Sequence, residues 1–477
     1  MDARFATETA ALAAEARHWR RACAALGDLE VSASPVAWRE LESYLGLSVR
    51  ASLTGQARRL TAQADRTLFT IKGATTPADL KTARAELLRL RRRYSRAEAV
   101  VDFYCDAVNT RTNPRTAAVL RGLDALAVHS MDQVLRPLGI DTPPVLSYLD
   151  KGMGASILRS GARLWDASLS PAAAIKITRH NLWQPTSLVH ETGHQVAHLT
   201  SWTKELAAAL HAALAPHSAP AAAAWRSWAS EVAADVYAFS LLGYAPVPAL
   251  ATVVDGPSSQ VYRMPFGDPH PVSALRVQFN AALCRSWFGA GPWDALAARW
   301  QARHPLAQAS SEVGAIVAAS MPLLPTIAEV CTRRPMRAFH GVPLSALADP
   351  RRVSPAELNR LADRAGASLY TSTYLQRVEP MRILALTVLR GLESSTAPSE
   401  METWLRRMGG GAPRGPRKDV NFVPPWERAP AGGRPTGTTH HDPRLPLHRG
   451  RAAGRAGIGP ARGRANHTEP VASLRAD

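Results

Sequence analysis

The sequence predicts an α+β fold that is mostly α-helical, with one small sheet near the middle of the chain. Three observations carry this. Apolar residues recur at spacings of three and four over most of the chain. Short runs with β-branched residues and glycine punctuation are confined to residues 145–178. From Gly409 the chain becomes rich in Gly, Pro, Arg and His with few large aliphatics, so it cannot offset its own ordering entropy. The expected organisation is a helical, coiled-coil-like region over 1–110, a principal domain over 111–408 and a disordered basic tail over 409–477.

The elements follow in order. Ser34-Pro35 and Thr76-Pro77 each place a capping hydroxyl before a proline at the first helical position. After the second, Leu80, Ala83, Leu87, Leu90 and Tyr94 form a seam, with Arg89, Arg91, Arg92, Arg93 and Arg96 on the outer face. This reads as an N-terminal helical hairpin with a solvated basic face. Asn113-Pro114 opens a helix to about Leu135. Val145–Leu149, Ala155–Leu158 and Ala172–Thr178 read as strands; in the last, Ala173, Ile175 and Ile177 alternate with Ala174, Lys176 and Thr178. An edge strand here offers backbone groups to an extended peptide. Pro220 begins a helix to Leu242, closed by Gly243. Residues 255–271 are loop, followed by helices near 272–288, 292–302 and 306–320. A capping box at Ser354–Glu357 opens the next helix, and others are expected over 373–391 and 398–407.

Composition bounds the function. The chain has 477 residues, 46% of them hydrophobic, and a formal net charge of +18. The last 67 residues hold 12 Lys or Arg against 5 Asp or Glu, so much of the surplus lies in the tail. Nucleic acid is not the expected partner, because no aromatics are interleaved with the arginines on that outer face, Tyr94 belonging to the apolar seam. Cys23, Cys105, Cys284 and Cys331 are far apart, which gives neither a thiolate metal site nor a disulfide framework and suits a reducing cytosol. The N-terminus has no apolar signal core. The apolar run Val313–Ala328 is short for a bilayer and carries two prolines. A cytoplasmic protein without a transmembrane segment is expected.

The chemistry centres on His190-Glu191-Thr192-Gly193-His194, an H-E-x-x-H string. On a helix the two histidines lie one above the other and can share one zinc ion, with Glu191 beside them as a proton acceptor. A zinc site needs a third protein ligand. Glu231 and Asp235 lie four residues apart on the helix after Pro220, among Trp225, Trp228, Val232, Val236 and Phe239. Carboxylates in such apolar company need partners. Glu231 is the expected ligand, and Asp235 the acceptor that fixes a ligating imidazole. His198 is a competing ligand. His440 and His441 sit together in the tail.

These strings, H-E-x-x-H and then E-x-x-A-D, resemble the gluzincin metallopeptidases. His270-Pro271 with Arg276, an H-P-x-x-x-x-R string, completes the order of elements of the CAAX prenyl protease and bacterial heat-shock metallopeptidase group and its small soluble relatives. The resemblance covers about residues 140–290. The prenyl proteases' membrane helices are missing here, and Thr200 stands where a metzincin would carry histidine. The resemblance implies a zincin-like catalytic core and a zinc peptidase acting on a peptide or protein substrate. Zn2+ is then held by His190, His194 and Glu231, with Glu191 as general base. It also places His270 and Arg276 near the cleft, where either donates to the developing oxyanion. Tyr262 is a weaker choice. For Arg276 the residues leave a second reading, a partner for a buried carboxylate. An alternative function is a non-catalytic scaffold of the same fold acting through its basic helices and tail; the intact Glu191 favours the enzyme.

Overall fold

A computed structural model of the protein describes residues 3–152, 154–162 and 169–410. Among these, the helix starts read from Xaa-Pro pairs carry side-chain caps. Ser34 accepts the Ala37 N–H at the start of α2 (Pro35–Leu45), which follows α1 (Ala3–Ala25). Helix α3 spans Val49–Lys72. Thr76 and Asp79 close a reciprocal capping box at the start of α4 (Pro77–Asn109). Asn113 accepts the N–H groups of Arg115 and Thr116 at the start of α5 (Pro114–Leu135).

The seam of α4 is buried at Leu80, Ala83, Leu87 and Leu90, where it meets Leu12, Ala16, Leu60 and Ala64 of α1 and α3. The arginines from 89 to 96 are exposed. The N-terminal region is more than the expected hairpin: α1, α3 and α4 pack on one another, and a second cluster joins it to the sheet. Trp38, Leu53, Val101 and Tyr104 form another cluster together with Leu146, Tyr148 and Ala174 of the sheet. Helices α2, α3 and α4 therefore cover one face of that sheet.

Among the described residues the sheet has three strands in the order β1-β3-β2. Strand β1 (Val145–Asp150) pairs in parallel with β3 (Ala173–Thr178), and β2 (Ser156–Leu158) pairs antiparallel with β3 from the other side. Val145, Ala173, Ile175 and Ile177 point into the principal core, which also holds Leu123, Ala127, Leu188, Val189 and Val196. The sheet is thus buried on both faces, and a buried network fixes its first strand. Asp124 of α5 accepts from the Ser147 N–H (2.6 Å), Arg111 (2.7 Å) and Tyr44 (3.0 Å).

Strand β3 feeds through residues 179–185 into α6 (Thr186–Thr200). Then come α7 (Trp202–Leu214), α8 (Ala219–Ser227) and α9 (Ala229–Leu242). The single helix expected from Pro220 to Leu242 is broken at Trp228, which leaves the helical region at φ −87°, ψ 1°. Trp225 and Trp228 are both buried, edge to face with ring centroids 5.7 Å apart, and the break turns the second ring inward. Gly243 ends α9 at φ +61°. Likewise the helix expected over 373–391 is two, Thr373–Val378 and Pro380–Gly391, because Pro380 has no N–H to continue the ladder.

The run Ser311–Thr332 has the length and apolar composition to cross a membrane. It is folded as two helices joined by a 3-10 turn at Met321–Leu323, and Ile316, Val317, Ile327 and Ala328 are buried in the principal core.

The last helix among the described residues, Ala397–Gly410, lies on α5. A Cβ at Gly122 would run into the Leu405 carbonyl, and one at Gly409 into the Ala118 carbonyl. Backbone meets backbone here, so neither side can yield by rotating a side chain. Gly122→Ala is expected to lower stability by about 1–3 kcal/mol, read as a shift in the urea midpoint. The helix runs into the first two residues of the expected tail; residues 411–477 lie outside the described residues, and with them His440 and His441.

Candidate metal centre

The site is assembled by two helices that pass unusually close. A Cβ placed on Gly193 of α6 would stand 2.9 Å from the Ala234 Cα and 3.0 Å from the Tyr237 Cβ of α9. Glycine in the first string is therefore a packing requirement, and the close approach brings Glu231 within reach of both imidazoles. Thr192, one residue before that contact, bonds Ser130 of α5 (2.6 Å), and the Tyr237 hydroxyl donates to the Ser130 carbonyl (2.6 Å).

His190 and His194 sit one turn apart with ring centroids at 4.9 Å and planes at 89°. His190 Nε2 is 3.4 Å from Glu231 Oε2, and His194 Nε2 is 3.2 Å from Glu231 Oε1. One donor atom from each of the three residues lies within 4.8 Å of the others. Metal–ligand bonds of about 2.0–2.2 Å in a tetrahedron require donors roughly 3.3 Å apart. The two histidine–glutamate separations are close to that value, each to a different oxygen of the Glu231 carboxylate, and the set as a whole closes to within 4.8 Å.

Behind the donors stands a second layer. His190 Nδ1 is 2.9 Å from Asp235 Oδ1, which leaves Nε2 facing Glu231. Asp235 is gripped in turn by Arg276, from the helix Ser273–Phe288, through Nε (2.7 Å) and Nη2 (2.8 Å). Arg276 Nη2 also reaches Glu231 Oε2 at 3.3 Å. Asn280, one turn on, donates to Asp235 (3.2 Å) and to the Arg276 carbonyl (3.0 Å). His194 Nδ1 faces Ser230 Oγ at 3.4 Å.

The electrostatics favour a bound cation. Burial opposes ionisation of Glu231, but the neighbouring imidazoles and Arg276 outweigh it and hold the carboxyl well below its ordinary range. Asp235 is likewise held ionised against its burial, chiefly by Arg276. Burial alone would make His190 a weaker base; its bonds to Asp235 and Glu231 reverse this and push its pKa up to about 10. In the metal-free protein a proton on His190 thus stands in for positive charge. Glu191 is buried, and that burial lifts its carboxyl above the usual value, the two imidazoles pulling the other way. Glu231 and Asp235, both buried and held ionised, share the buried guanidinium of Arg276. The surplus negative charge suits a dication.

The remaining expected residues divide. His270 is at the site: its Nε2 lies 3.6 Å from Glu231 Oε2, and its side chain is 54% exposed. Its Nδ1 is held by Asp268 at 2.6 Å, and the same carboxylate accepts the His270 backbone N–H. Arg276 is packed behind Glu231 and Asp235, with both its bonding nitrogens engaged by those carboxylates. That geometry fits the second of its two readings, a partner for buried carboxylates, in place of the oxyanion donor expected from the resemblance. Tyr262 is buried and spends its hydroxyl on the His304 carbonyl (2.7 Å), away from the donors. His198 is not among the grouped donor atoms.

Asp268, Asn280 and Ser230 were not singled out from the sequence. Asn280 was findable, being four residues after Arg276 and so on the same helical face. Asp268 was findable only as an acid two residues before His270, which in a proline-rich loop fixes no geometry. No protein-family model matches the chain, and neither a curated protein nor a solved structure matches it.

Proposed function

We propose that the protein is a zinc-dependent peptidase with a gluzincin-like centre. The observation that carries this is the meeting of His190, His194 and Glu231, one donor atom from each within 4.8 Å of the others, with the buried Glu191 carboxylate beside them. These residues would hold Zn2+, and the bound ion would supply Lewis acidity toward a water and a peptide carbonyl. Glu191 takes the proton from the attacking water on its carboxylate and passes it to the departing amine. His270, aimed by the bond from its Nδ1–H to Asp268, donates from Nε2 to the oxygen of the tetrahedral intermediate when the ring carries a proton on both nitrogens. Asp235 fixes the tautomer of His190, and Arg276 keeps Asp235 ionised and in place. Strand β2 lies at the sheet edge. An extended peptide adds to it through backbone hydrogen bonds, which recognises a polypeptide with little regard to sequence.

The test is hydrolysis of a mixed peptide pool by purified full-length protein. Cleavage is expected with zinc present, is lost on treatment with a chelator, and returns when zinc is restored. Zinc-loaded protein that leaves every peptide intact, or cleavage indifferent to the chelator, would overturn the reading.

A further inference from the structure

Gln195 follows directly on His194, and its side chain is wholly buried. It points away from the donors toward the chain just beyond β2. The Ser160 N–H donates to Gln195 Oε1 (2.9 Å), and Gln195 Nε2 donates to the Ser160 carbonyl (3.0 Å). The carboxamide so occupies both backbone groups of one residue, as a neighbouring strand does.

The pairing around it explains why a side chain is needed. Residues 156, 157 and 158 pair with 176, 175 and 174. Continuing that register brings Ser160 opposite Ala172. The two do not bond each other. Ala172 exchanges bonds with the Tyr104 hydroxyl, at 3.2 Å through its carbonyl and 3.3 Å through its N–H. Ladder bonds resume beyond the gap, where Ser170 N–H donates to the Ala162 carbonyl (3.0 Å) and Gly161 N–H to the Ser170 carbonyl (2.9 Å). The hairpin therefore opens at one pair. One half of the opening is filled from α4 and the other from α6, the helix that carries both histidines.

We propose that Gln195 is a positioning residue for substrate: it locks the height and register of the β2 edge to α6, so that a peptide added to that edge presents its scissile bond at the metal. The metal helix and the substrate-binding edge are thereby one rigid unit, and the class of substrate is a peptide long enough to engage β2. This inference rests on the peptidase reading above. It places Gln195 outside the chemistry, since the side chain touches neither the donor atoms nor Glu191.

The experiment uses full-length protein loaded with zinc, a peptide that the wild type cleaves, and the same peptide trimmed to the residues flanking the scissile bond. Gln195→Met keeps the shape of the side chain and removes both bonds; Gln195→Glu keeps the acceptor and loses the donor. Zinc content is expected to stay at the wild-type level in both. Each lost hydrogen bond is worth up to about a factor of ten. The ratio of kcat/KM for the long peptide to that for the trimmed one is therefore expected to fall by about tenfold or more in Gln195→Met, mainly through KM, and by less in Gln195→Glu. Faster amide hydrogen exchange over residues 156–160 is expected to accompany it. A variant that slows both peptides equally would reduce Gln195 to a structural residue and overturn the inference while leaving the peptidase reading intact. Zinc-loaded wild-type protein that cleaves no member of the mixed peptide pool, so that no such peptide exists, would remove the reading itself, and the inference with it.

Discussion

Replacing Glu191 by glutamine is expected to leave zinc bound and to slow peptide hydrolysis by roughly two to four orders of magnitude. Glutamine keeps the size of the side chain and loses the basic oxygen. In this site the substitution is unusually clean. Glu191 is buried beside the imidazoles but is not among the three donors, so metal affinity has little reason to fall. Its raised carboxyl pKa matches it to taking up a proton and later releasing it. Zinc content by mass spectrometry and turnover of the same peptide, measured side by side, check this. Turnover equal to wild type would assign the base elsewhere. Loss of zinc would make Glu191 a ligand.

The second large effect is expected at Arg276. Arg276→Met leaves Asp235 and Glu231 buried without their cation, and breaking a buried pair in this way costs about 3–5 kcal/mol. The loss has a signature that separates it from ordinary core damage. Zinc bound at the proposed site would supply positive charge to the same two carboxylates, directly at Glu231 and through His190 at Asp235. The destabilisation is therefore expected to be largest in metal-free protein and to shrink when zinc is added, beyond the stabilisation that zinc gives wild type by binding the folded state. Urea midpoints of both proteins, with zinc and with chelator, give the four values needed. An equal drop in both conditions would mean that Arg276 supports only the fold.

Much of the centre was legible because helices write their geometry into spacing. His190 and His194 at i and i+4, and Glu231 and Asp235 at i and i+4, each define one face. An apolar helix holding two carboxylates announces that they are partnered. What spacing leaves open is the contact between helices. Nothing in the residues from 195 to 230 says how α9 returns to α6; Gly193 holds that information only as an absence of side chain. Arg276 shows the same gap, since a buried guanidinium serves an oxyanion or a carboxylate equally well until its neighbours are placed.

The sheet was harder. Its strands were found within a residue or so, from β-branched residues and glycines. Their second buried face was not, because a short strand buried on both sides loses the alternation that would mark one face as wet. Hence the N-terminal helices read as a region apart, whereas Tyr104 and Trp38 lie in one cluster with Leu146 and Tyr148. The breaks at Trp228 and Pro380 divide along the same line. Proline ends a helix by its own chemistry, so that boundary was available in the sequence. Trp228 ends one for the sake of packing, which only the fold reveals.

The account stands on three side chains holding one metal ion. X-ray absorption at the zinc edge, on full-length protein with zinc added and the excess removed, tests it most directly. The expected result is one zinc per chain with two imidazole nitrogens and carboxylate oxygen at about 2.0–2.2 Å, and loss of that signal in Glu231→Ala. Zinc retained with an unchanged first coordination sphere in Glu231→Ala, or no zinc retained by wild type, would contradict it.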